Sequence, residues 1–230
     1  MKILLDTANL EDIRYFTNYY PIVGVTTNPT ILSREGGDVL SLLSEIRSII
    51  GKSAELHVQV TETEYEKILE EGRLLVTFLG NNTFIKIPAT DVGLKACAAL
   101  SREGYRVTVT ATLTAAQAIL ASNAGAAYVA PYVSRLENIC DDGVGSVADI
   151  AKIFRYSGTK TEILAASFKT AREVVDVACV GCHAATIGSD VMKRLIAHTT
   201  TDTSISGFVA DWQRAFGNTT LLELLKKKRG

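Results

Sequence analysis

The sequence predicts an α/β fold, a single (β/α)₈ TIM barrel over residues 1–230 with an extra C-terminal helix. Short apolar runs recur about every 20 to 28 residues, and each is followed by a segment with helical periodicity. Regular alternation of strand and helix implies right-handed parallel crossovers, and eight such units are enough to close a barrel. A doubly wound open sheet is the alternative, because alternation alone does not prove closure.

Eight runs rich in β-branched and aliphatic residues predict the strands. In chain order they span 2–6, 23–27, 56–60, 84–87, 107–111, 128–133, 162–167 and 183–187. The segments between and after them have helical spacing of apolar residues and predict helices over 10–19, 39–50, 62–79, 92–101, 114–122, 147–154, 171–179 and 191–198. Thr61, three residues before Glu64, predicts a capping box at the start of the third helix.

A further amphipathic segment over about 204–225 follows the eighth unit and carries Phe208, Trp212 and Phe216 at spacings of four. Such a stripe is more often packed core than a binding surface. We expect it to pack on its own barrel or on a neighbouring subunit. No linker, repeat or low-complexity segment interrupts the pattern, which favours one domain.

The composition excludes several classes of function. The chain has 47% hydrophobic and 21% charged residues and a formal net charge of -1, so no large basic field indicates nucleic acid or an anionic membrane as a partner. The basic residues 226–229 are expected to form a solvated end. No apolar stretch reaches the ~20 residues of a membrane span, and the first strand starts too early for a signal peptide, so we expect a cytoplasmic protein.

Cysteine usage agrees with that expectation. The four cysteines, Cys97, Cys140, Cys179 and Cys182, are expected to stay reduced, because a chain of this length without a secretory signal seldom uses a disulfide framework.

Polar residues fall at the ends of seven of the eight predicted strands. Active sites of barrels lie at the C-terminal ends of the strands, where side chains from several strands meet. The eighth strand ends near Thr186 and Gly188 and contributes little. Each of these positions except Lys86, taken alone, has an ordinary structural interpretation, such as a helix cap or a core aromatic with a satisfied hydroxyl. The polar strand-end residues are Asp6, Thr27 with Asn28, Gln59, Lys86, Thr110, Tyr132 and Ser167.

Lys86 is the most informative of these residues. It lies between Ile85 and Ile87 in a strand that the pattern predicts to be buried on both faces, so if the isoleucines face the helices the lysine points into the barrel. At its reference pKa of ~10.4 a lysine has about one free amine in 2500 at pH 7, and burial lowers that pKa. A neutral amine can form a Schiff base with a ketone. The alternative is a purely structural pair with Asp6.

Six motifs carry a resemblance to a known family. The sequence LDTAN at 5–9, GVTTNPT at 24–30 and FIKIPAT at 84–90, with APYVSR at 130–135, LAASFKT at 164–170 and DWQRAFG at 211–217, resembles the transaldolase family and, within it, the short-chain branch that includes fructose-6-phosphate aldolase. The likeness runs from residue 1 to about 217. It implies a (β/α)₈ barrel, class I aldol chemistry on sugar phosphates without a metal or organic cofactor, and a homopentamer or homodecamer whose C-terminal helix crosses to a neighbour.

The resemblance also assigns roles to individual residues. It makes Lys86 the Schiff-base lysine and Asp6 a residue that binds a donor hydroxyl and transfers protons. Thr27 and Asn28 would hold the dihydroxyacetone portion of the substrate. The phosphate of the acceptor would be bound by Arg135, Ser167 and Lys169, and arginine suits phosphate because its guanidinium is a planar fork of donors.

Three positions separate the two branches of the family. True transaldolases resemble one another in a glutamate, an asparagine and a phenylalanine where this chain has Gln59, Thr110 and Tyr132. The set here is aldolase-like, and these side chains can hold a water that protonates the enamine or hydrolyses the imine. His57, Thr108 and Val109 depart from the aldolase pattern, which affects the expected donor and acceptor preference more than the reaction class. The alternatives are a transaldolase that transfers a dihydroxyacetone unit, and a non-catalytic relative that binds sugar phosphates.

Two other motifs suggest different chemistry. CVGCH at 179–183 has the spacing of covalent haem attachment, which normally requires export, and it does not form a zinc ligand set with the three scattered histidines. GVGSVA at 143–148 is similar to a dinucleotide fingerprint, but no strand immediately precedes it, so a turn and helix start is the better interpretation.

Overall fold

Eight parallel strands pair in chain order in the computed structural model of the chain, and the first strand closes the sheet by pairing with the eighth. The structure describes residues 1–138 and 142–229. Closure confirms the barrel and rules out the open sheet. The strands are β1 (Lys2–Asp6), β2 (Gly24–Thr26), β3 (Glu55–Gln59), β4 (Thr83–Pro88), β5 (Arg106–Thr112), β6 (Tyr128–Pro131), β7 (Glu162–Ala165) and β8 (Ala184–Ile187).

Helices follow the strands as the periodicity predicts, with two short additions. The helices are α1 (Leu10–Tyr19), α2 (Pro29–Glu35), α3 (Val39–Ile50), α4 (Tyr65–Leu79), α5 (Asp91–Arg102), α6 (Ala115–Asn123), α7 (Val133–Glu137), α8 (Gly143–Ser157), α9 (Ala171–Cys179), α10 (Ser189–Ile196), α11 (Thr199–Phe216) and α12 (Leu221–Arg229). Helices α2 and α7 were not expected, because seven and five residues are too few for a clear amphipathic period.

The start of α4 corrects one expectation. Glu64 is the N-cap and makes no side-chain capping bond, so Thr61 does not cap this helix. Instead the backbone N–H and the hydroxyl of Thr61 both donate to the carboxylate of Glu71, one turn and a half into the helix. The helix therefore begins at Tyr65, three residues later than the pattern predicts.

The alternation along β4 settles which face Lys86 occupies. Ile85 and Ile87 belong to the apolar layer between the sheet and the helices, together with Ile68 and Leu100. Residues of β4 that lie between them must point to the other side of the sheet, which in a barrel is the interior. Lys86 therefore points into the barrel.

The chain divides into two compact units, Met1–Met192 and Lys193–Gly230. The first contains the barrel. The second contains two helices where one was expected over about 204–225. The break falls at Gly217, whose φ of 68° is the left-handed conformation that glycine adopts without strain. Thr220 then starts α12 by accepting a hydrogen bond from the Glu223 N–H. Phe208 and Phe216 of α11 are exposed.

Candidate active site

Lys86 lies in the middle of β4 and is 5% exposed. Its Nζ donates to the backbone carbonyl oxygen of Thr27 at 2.8 Å, across the interior. Burial lowers the pKa of Lys86, and the negative charge of Asp6 acts in the opposite direction. A lysine whose pKa is lowered by desolvation has a larger fraction of free amine at neutral pH, which is what a nucleophilic lysine needs.

Asp6 ends β1 and interacts with Lys86. Burial raises the pKa of Asp6, while the charge of Lys86 and a hydrogen bond from Thr26 lower it. The Thr26 hydroxyl donates to Asp6 Oδ1 at 2.6 Å. Each group shifts the pKa of the other, so the carboxyl and the amine titrate as a coupled pair. The protonation of one therefore affects the amount of free amine on the other.

A cavity of about 560 Å³ opens at the C-terminal ends of the strands. That volume lies within the range of small-molecule sites. Four of the residues predicted from the sequence line it, namely Asp6, Asn28, Arg135 and Ser167. Lys86 does not line the cavity itself; it reaches this region through its interaction with Asp6.

Thr27 and Asn28 are placed differently, although they are adjacent. Asn28 is the N-cap of α2, and its Oδ1 accepts a hydrogen bond from the Ile31 N–H. Its side-chain NH₂ group is left for other partners, and Asn28 lines the cavity. Thr27 is fully buried, and its hydroxyl donates to the carbonyl oxygen of His57 at 3.1 Å. Through its backbone carbonyl it holds the amine of Lys86.

The three positions that separate the branches of the resemblance lie on neighbouring strands. The hydroxyl groups of Tyr132 and Thr110 are 3.3 Å apart. Gln59 is paired in register with Lys86 across β3 and β4, and Thr110 is paired with Pro88. None of the three lines the cavity of 560 Å³. Beyond Thr110, Ala111 has a φ of 55° and the register with β6 shifts, a bulge that changes the direction of the strand end.

The residues expected at the phosphate come from α7 and from the loop between β7 and α9. Ser167 lines the cavity and has a φ of 64°, a costly backbone conformation for a serine and one that is often found at functional sites. Arg135 lines it as well, with its guanidinium 4.6 Å from the centre of the Tyr132 ring. Lys169 is exposed and does not line the cavity; its ammonium donates to Asn138 Oδ1 at 2.7 Å.

Sequence reasoning missed three residues at this end of the barrel. Thr26 was overlooked because Thr27 follows it and matched the strand-end position. Thr186 was considered to contribute little, yet it lines the cavity. Arg34, on the unexpected helix α2, lines the cavity too. For Thr26 the alternation of β2 was the available signal, because it assigns Thr26 and not Thr27 to the interior face.

His57 was expected beside Gln59, close to the reaction, and the structure places it one layer further from the mouth. Its ring stacks on Phe84 with centroids 4.4 Å apart, and it bonds to Glu55 and Thr108. Burial lowers the pKa of His57 to about 4. Glu55 also lines a second cavity of about 530 Å³ at the opposite end of the strands, where Lys2 pairs with Glu162. His57 therefore belongs to the packing of the barrel floor.

The motif at 179–183 has structural partners. Cys179 and Cys182 are free thiols, as is Cys97, and Cys140 lies outside the described residues. His183 accepts a hydrogen bond from the Ile163 N–H, so one ring nitrogen is occupied. Across residues 1–138 and 142–229 no three His, Cys, Asp or Glu side chains are grouped as metal ligands. Gly143 begins α8, which agrees with the expected helix start at GVGSVA.

No helix in the described part of the chain is long and apolar enough to cross a membrane.

Comparison with known proteins gives a consistent result. The family described as Transaldolase/Fructose-6-phosphate aldolase matches residues 3–226. A "Probable transaldolase" of Clostridium botulinum is 42% identical over 217 residues, which is 94% of this chain and 99% of the relative. One of Symbiobacterium thermophilum with the same printed name is 41% identical over the same shares. A "Probable fructose-6-phosphate aldolase" of Streptococcus pneumoniae is 38% identical over 92% of this chain and 96% of its own length.

Proposed function

This chain belongs to the transaldolase/fructose-6-phosphate aldolase family, and on that basis we propose that it is a class I aldolase that cleaves or forms fructose 6-phosphate. Cleavage of fructose 6-phosphate gives dihydroxyacetone and glyceraldehyde 3-phosphate, and the reverse reaction joins them. The observation that carries the proposal is the buried pair of Lys86 and Asp6 next to a cavity at the C-terminal ends of the strands.

The chemistry begins with the free amine of Lys86. It attacks the C2 ketone, and loss of water from the adduct leaves a protonated Schiff base. When the C3–C4 bond breaks, its electron pair moves into the iminium and forms an enamine, while the C4 hydroxyl loses its proton and becomes the aldehyde. Asp6, which lines the cavity, would take that proton in its ionised form. Protonation of the enamine at C3 and hydrolysis of the imine release dihydroxyacetone and return the lysine.

Gln59, Thr110 and Tyr132 support the aldolase over the transferase. The Tyr132 hydroxyl lies 3.3 Å from that of Thr110, so a water beside this pair could bond to both hydroxyls. Gln59, which is in register with Lys86, would be the third group to hold it. A water held there protonates the enamine and ends the reaction with free dihydroxyacetone. The alternative is a transaldolase, in which the enamine survives until a second aldehyde arrives; the printed names of the Clostridium and Symbiobacterium relatives favour it.

The substrate is proposed to lie between Asn28 and Arg135. Asn28 lines the cavity on the β2 side and can bind the hydroxyls of the dihydroxyacetone portion. Arg135 and Ser167 line it on the side of β6 and β7 and would bind the phosphate. Lys169 would complete that site by exchanging its bond to Asn138 for a phosphate oxygen.

Borohydride reduction in the presence of fructose 6-phosphate tests the proposal. Reduction should fix a three-carbon remnant on Lys86, located by peptide mass spectrometry. Lys86→Met should not be labelled, whereas Lys95→Met, which removes a lysine that lies over the Tyr65 ring on the outside of the barrel, should be labelled like the wild type. Absence of a covalent remnant on the wild-type protein would refute the aldolase and the transaldolase alike, and would favour a non-catalytic sugar-phosphate binder.

For assembly we propose a homopentamer or homodecamer in which the C-terminal helices pack on a neighbouring subunit. Support comes from the uncovered apolar side chains of α11 and α12, among them Phe208 at 71% exposure and Leu222 at 61%. Light scattering of the full chain should give five or ten times the mass of 24.8 kDa, and Phe208→Ser should lower it. A monomer at micromolar concentration would contradict the assembly and leave the chemistry untouched.

A further inference from the structure

Three side chains form a row of short hydrogen bonds from β8 through β2 to β1. The Thr26 hydroxyl oxygen is 2.6 Å from Asp6 Oδ1 and 2.6 Å from the hydroxyl oxygen of Thr186. Thr26 is 0% exposed and Thr186 is 1% exposed. Strand β1 pairs with β2 on one side and with β8 on the other, so the closed barrel itself brings the three residues together.

Proton counting fixes the direction of this row. An ionised carboxylate only accepts hydrogen bonds, and each threonine hydroxyl has one proton to donate. When Asp6 is ionised, as its role of proton acceptor requires, Thr26 donates its proton to Asp6 and the bond between the two threonines is donated by Thr186. A hydroxyl that accepts one bond while donating another is polarised and becomes the stronger donor, because neighbouring bonds in a chain reinforce each other.

We propose that Thr186 is a positioning residue, which by donating to Thr26 orients the Thr26 proton toward Asp6 and holds that carboxyl in the ionised form that serves the Lys86 reaction. This inference rests on the proposed function, because the reaction that the ionised carboxyl serves is the one proposed there for Lys86. It assigns a role to the strand whose end residues otherwise contribute little. Thr186 acts through Thr26 and has no direct bond to the carboxylate.

A purely structural role for Thr186 makes a different prediction. If its hydroxyl only satisfies a buried polar group, its removal costs stability and leaves the titration of Asp6 unchanged. If it orients Thr26, its removal frees the Thr26 proton to turn away, and the carboxylate loses part of its stabilisation. The two roles therefore differ in a pH-dependent measurement.

The test compares Thr186→Val, which keeps the shape and removes the hydroxyl, with Thr186→Ser, which keeps the hydroxyl. Thr161→Val is the matched control, because Thr161 is a buried threonine whose hydroxyl donates to the Ala126 carbonyl, away from the mouth. In Thr186→Val the acid limb of kcat/KM for fructose 6-phosphate cleavage should move up by about half a pH unit, with kcat reduced about two- to threefold. Thr186→Ser should restore both, and Thr161→Val should change neither.

The titration of the Asp6 carboxyl, followed by ¹³C NMR and assigned with Asp6→Asn, provides a readout that needs no turnover. Its midpoint should rise in Thr186→Val by about the same half unit, which is the scale expected for the loss of one hydrogen bond. Thr186→Ala replaces the valine variant if that one does not fold. An unmoved carboxyl midpoint in a folded variant overturns the role of Thr186. Failure of the wild type to trap a sugar on Lys86 instead overturns the proposed function, and the two results are independent.

Discussion

The Nζ of Lys86 lies 2.8 Å from the carbonyl oxygen of Thr27, so the nitrogen is held by an acceptor. A carbonyl can accept an N–H from a neutral amine, which keeps its lone pair free, and because it carries no net charge it favours the ammonium less than a carboxylate does. The bond therefore orients the nucleophile without protonating it. A carboxylate in the same place would have favoured the ammonium, which cannot attack a carbonyl carbon.

Replacing Lys86 by Met should abolish turnover and make stability depend on pH in a defined direction. Burial already raises the pKa of Asp6, and the charge of Lys86 opposes that rise, so the variant should raise it further. A carboxyl whose pKa is raised in the folded state stabilises the fold when it is protonated. That contribution to the free energy of unfolding is lost as pH rises through the folded-state pKa. Urea unfolding between pH 4 and pH 8 should show that the variant loses stability toward alkaline pH relative to the wild type, in which the His57 contribution is the same. The double variant with Asp6→Asn should remove that difference; a difference that persists there would have another origin.

Tyr132→Phe should shift the products from free dihydroxyacetone toward transfer to a second aldehyde. The hydroxyl that is removed lies 3.3 Å from Thr110 and would hold the proton-donating water. Loss of a positioned proton donor reduces the hydrolytic step by about a hundredfold, while transfer should persist. The measurement is the ratio of dihydroxyacetone to sedoheptulose 7-phosphate with fructose 6-phosphate and erythrose 4-phosphate. Tyr156→Phe, on the exposed side of α8, is the control and should leave the ratio unchanged. An unchanged ratio in Tyr132→Phe would mean that this tyrosine contributes packing and no proton donor.

Arg135→Gln should raise KM for phosphorylated acceptors and leave unphosphorylated ones unaffected. The side chain lines the cavity and stacks on Tyr132. Loss of a charge-assisted bond to phosphate raises KM about ten- to a hundredfold. Synthesis assays with glyceraldehyde 3-phosphate and with glyceraldehyde measure the difference. Arg102→Gln, an exposed arginine at the end of α5, is the control. Equal losses on both acceptors would place the phosphate elsewhere.

The buried side chain of His57 should make the protein less stable in acid. Burial lowers the pKa of His57 from 6.5 to about 4, so the unfolded chain binds more protons between those two values. Stability should accordingly fall as pH drops from 6.5 to 4, by about 3 kcal/mol at most for this group. Urea unfolding at several pH values measures the slope. His57→Phe, which can keep the stacking on Phe84, should reduce the slope without affecting kcat. A strong loss of kcat in His57→Phe would show that His57 contributes to the reaction.

The sequence by itself determined the alternation of strands and helices and favoured a barrel, whereas the pairing of β1 with β8 excluded the open sheet. It also determined that Lys86 faces inward, since Ile85 and Ile87 can be satisfied only against the helices. Residue patterns along one chain carry this information because strand periodicity is local. The break at Gly217 had a local signal in the glycine and in Thr220 with Glu223, but the amphipathic pattern was followed across it. The helix that carries Arg34 has only seven residues, too few for a clear period.

Only the tertiary structure decided which hydroxyls serve Asp6. Thr27 matched the motif, yet its hydroxyl bonds to the backbone of β3. The hydroxyl that donates to the Asp6 carboxylate is that of Thr26. Thr26 in turn bonds to Thr186, which is 160 positions away in the sequence. That contact exists because β8 closes onto β1. Register around a closed sheet depends on all eight strands at once, and no stretch of sequence states it.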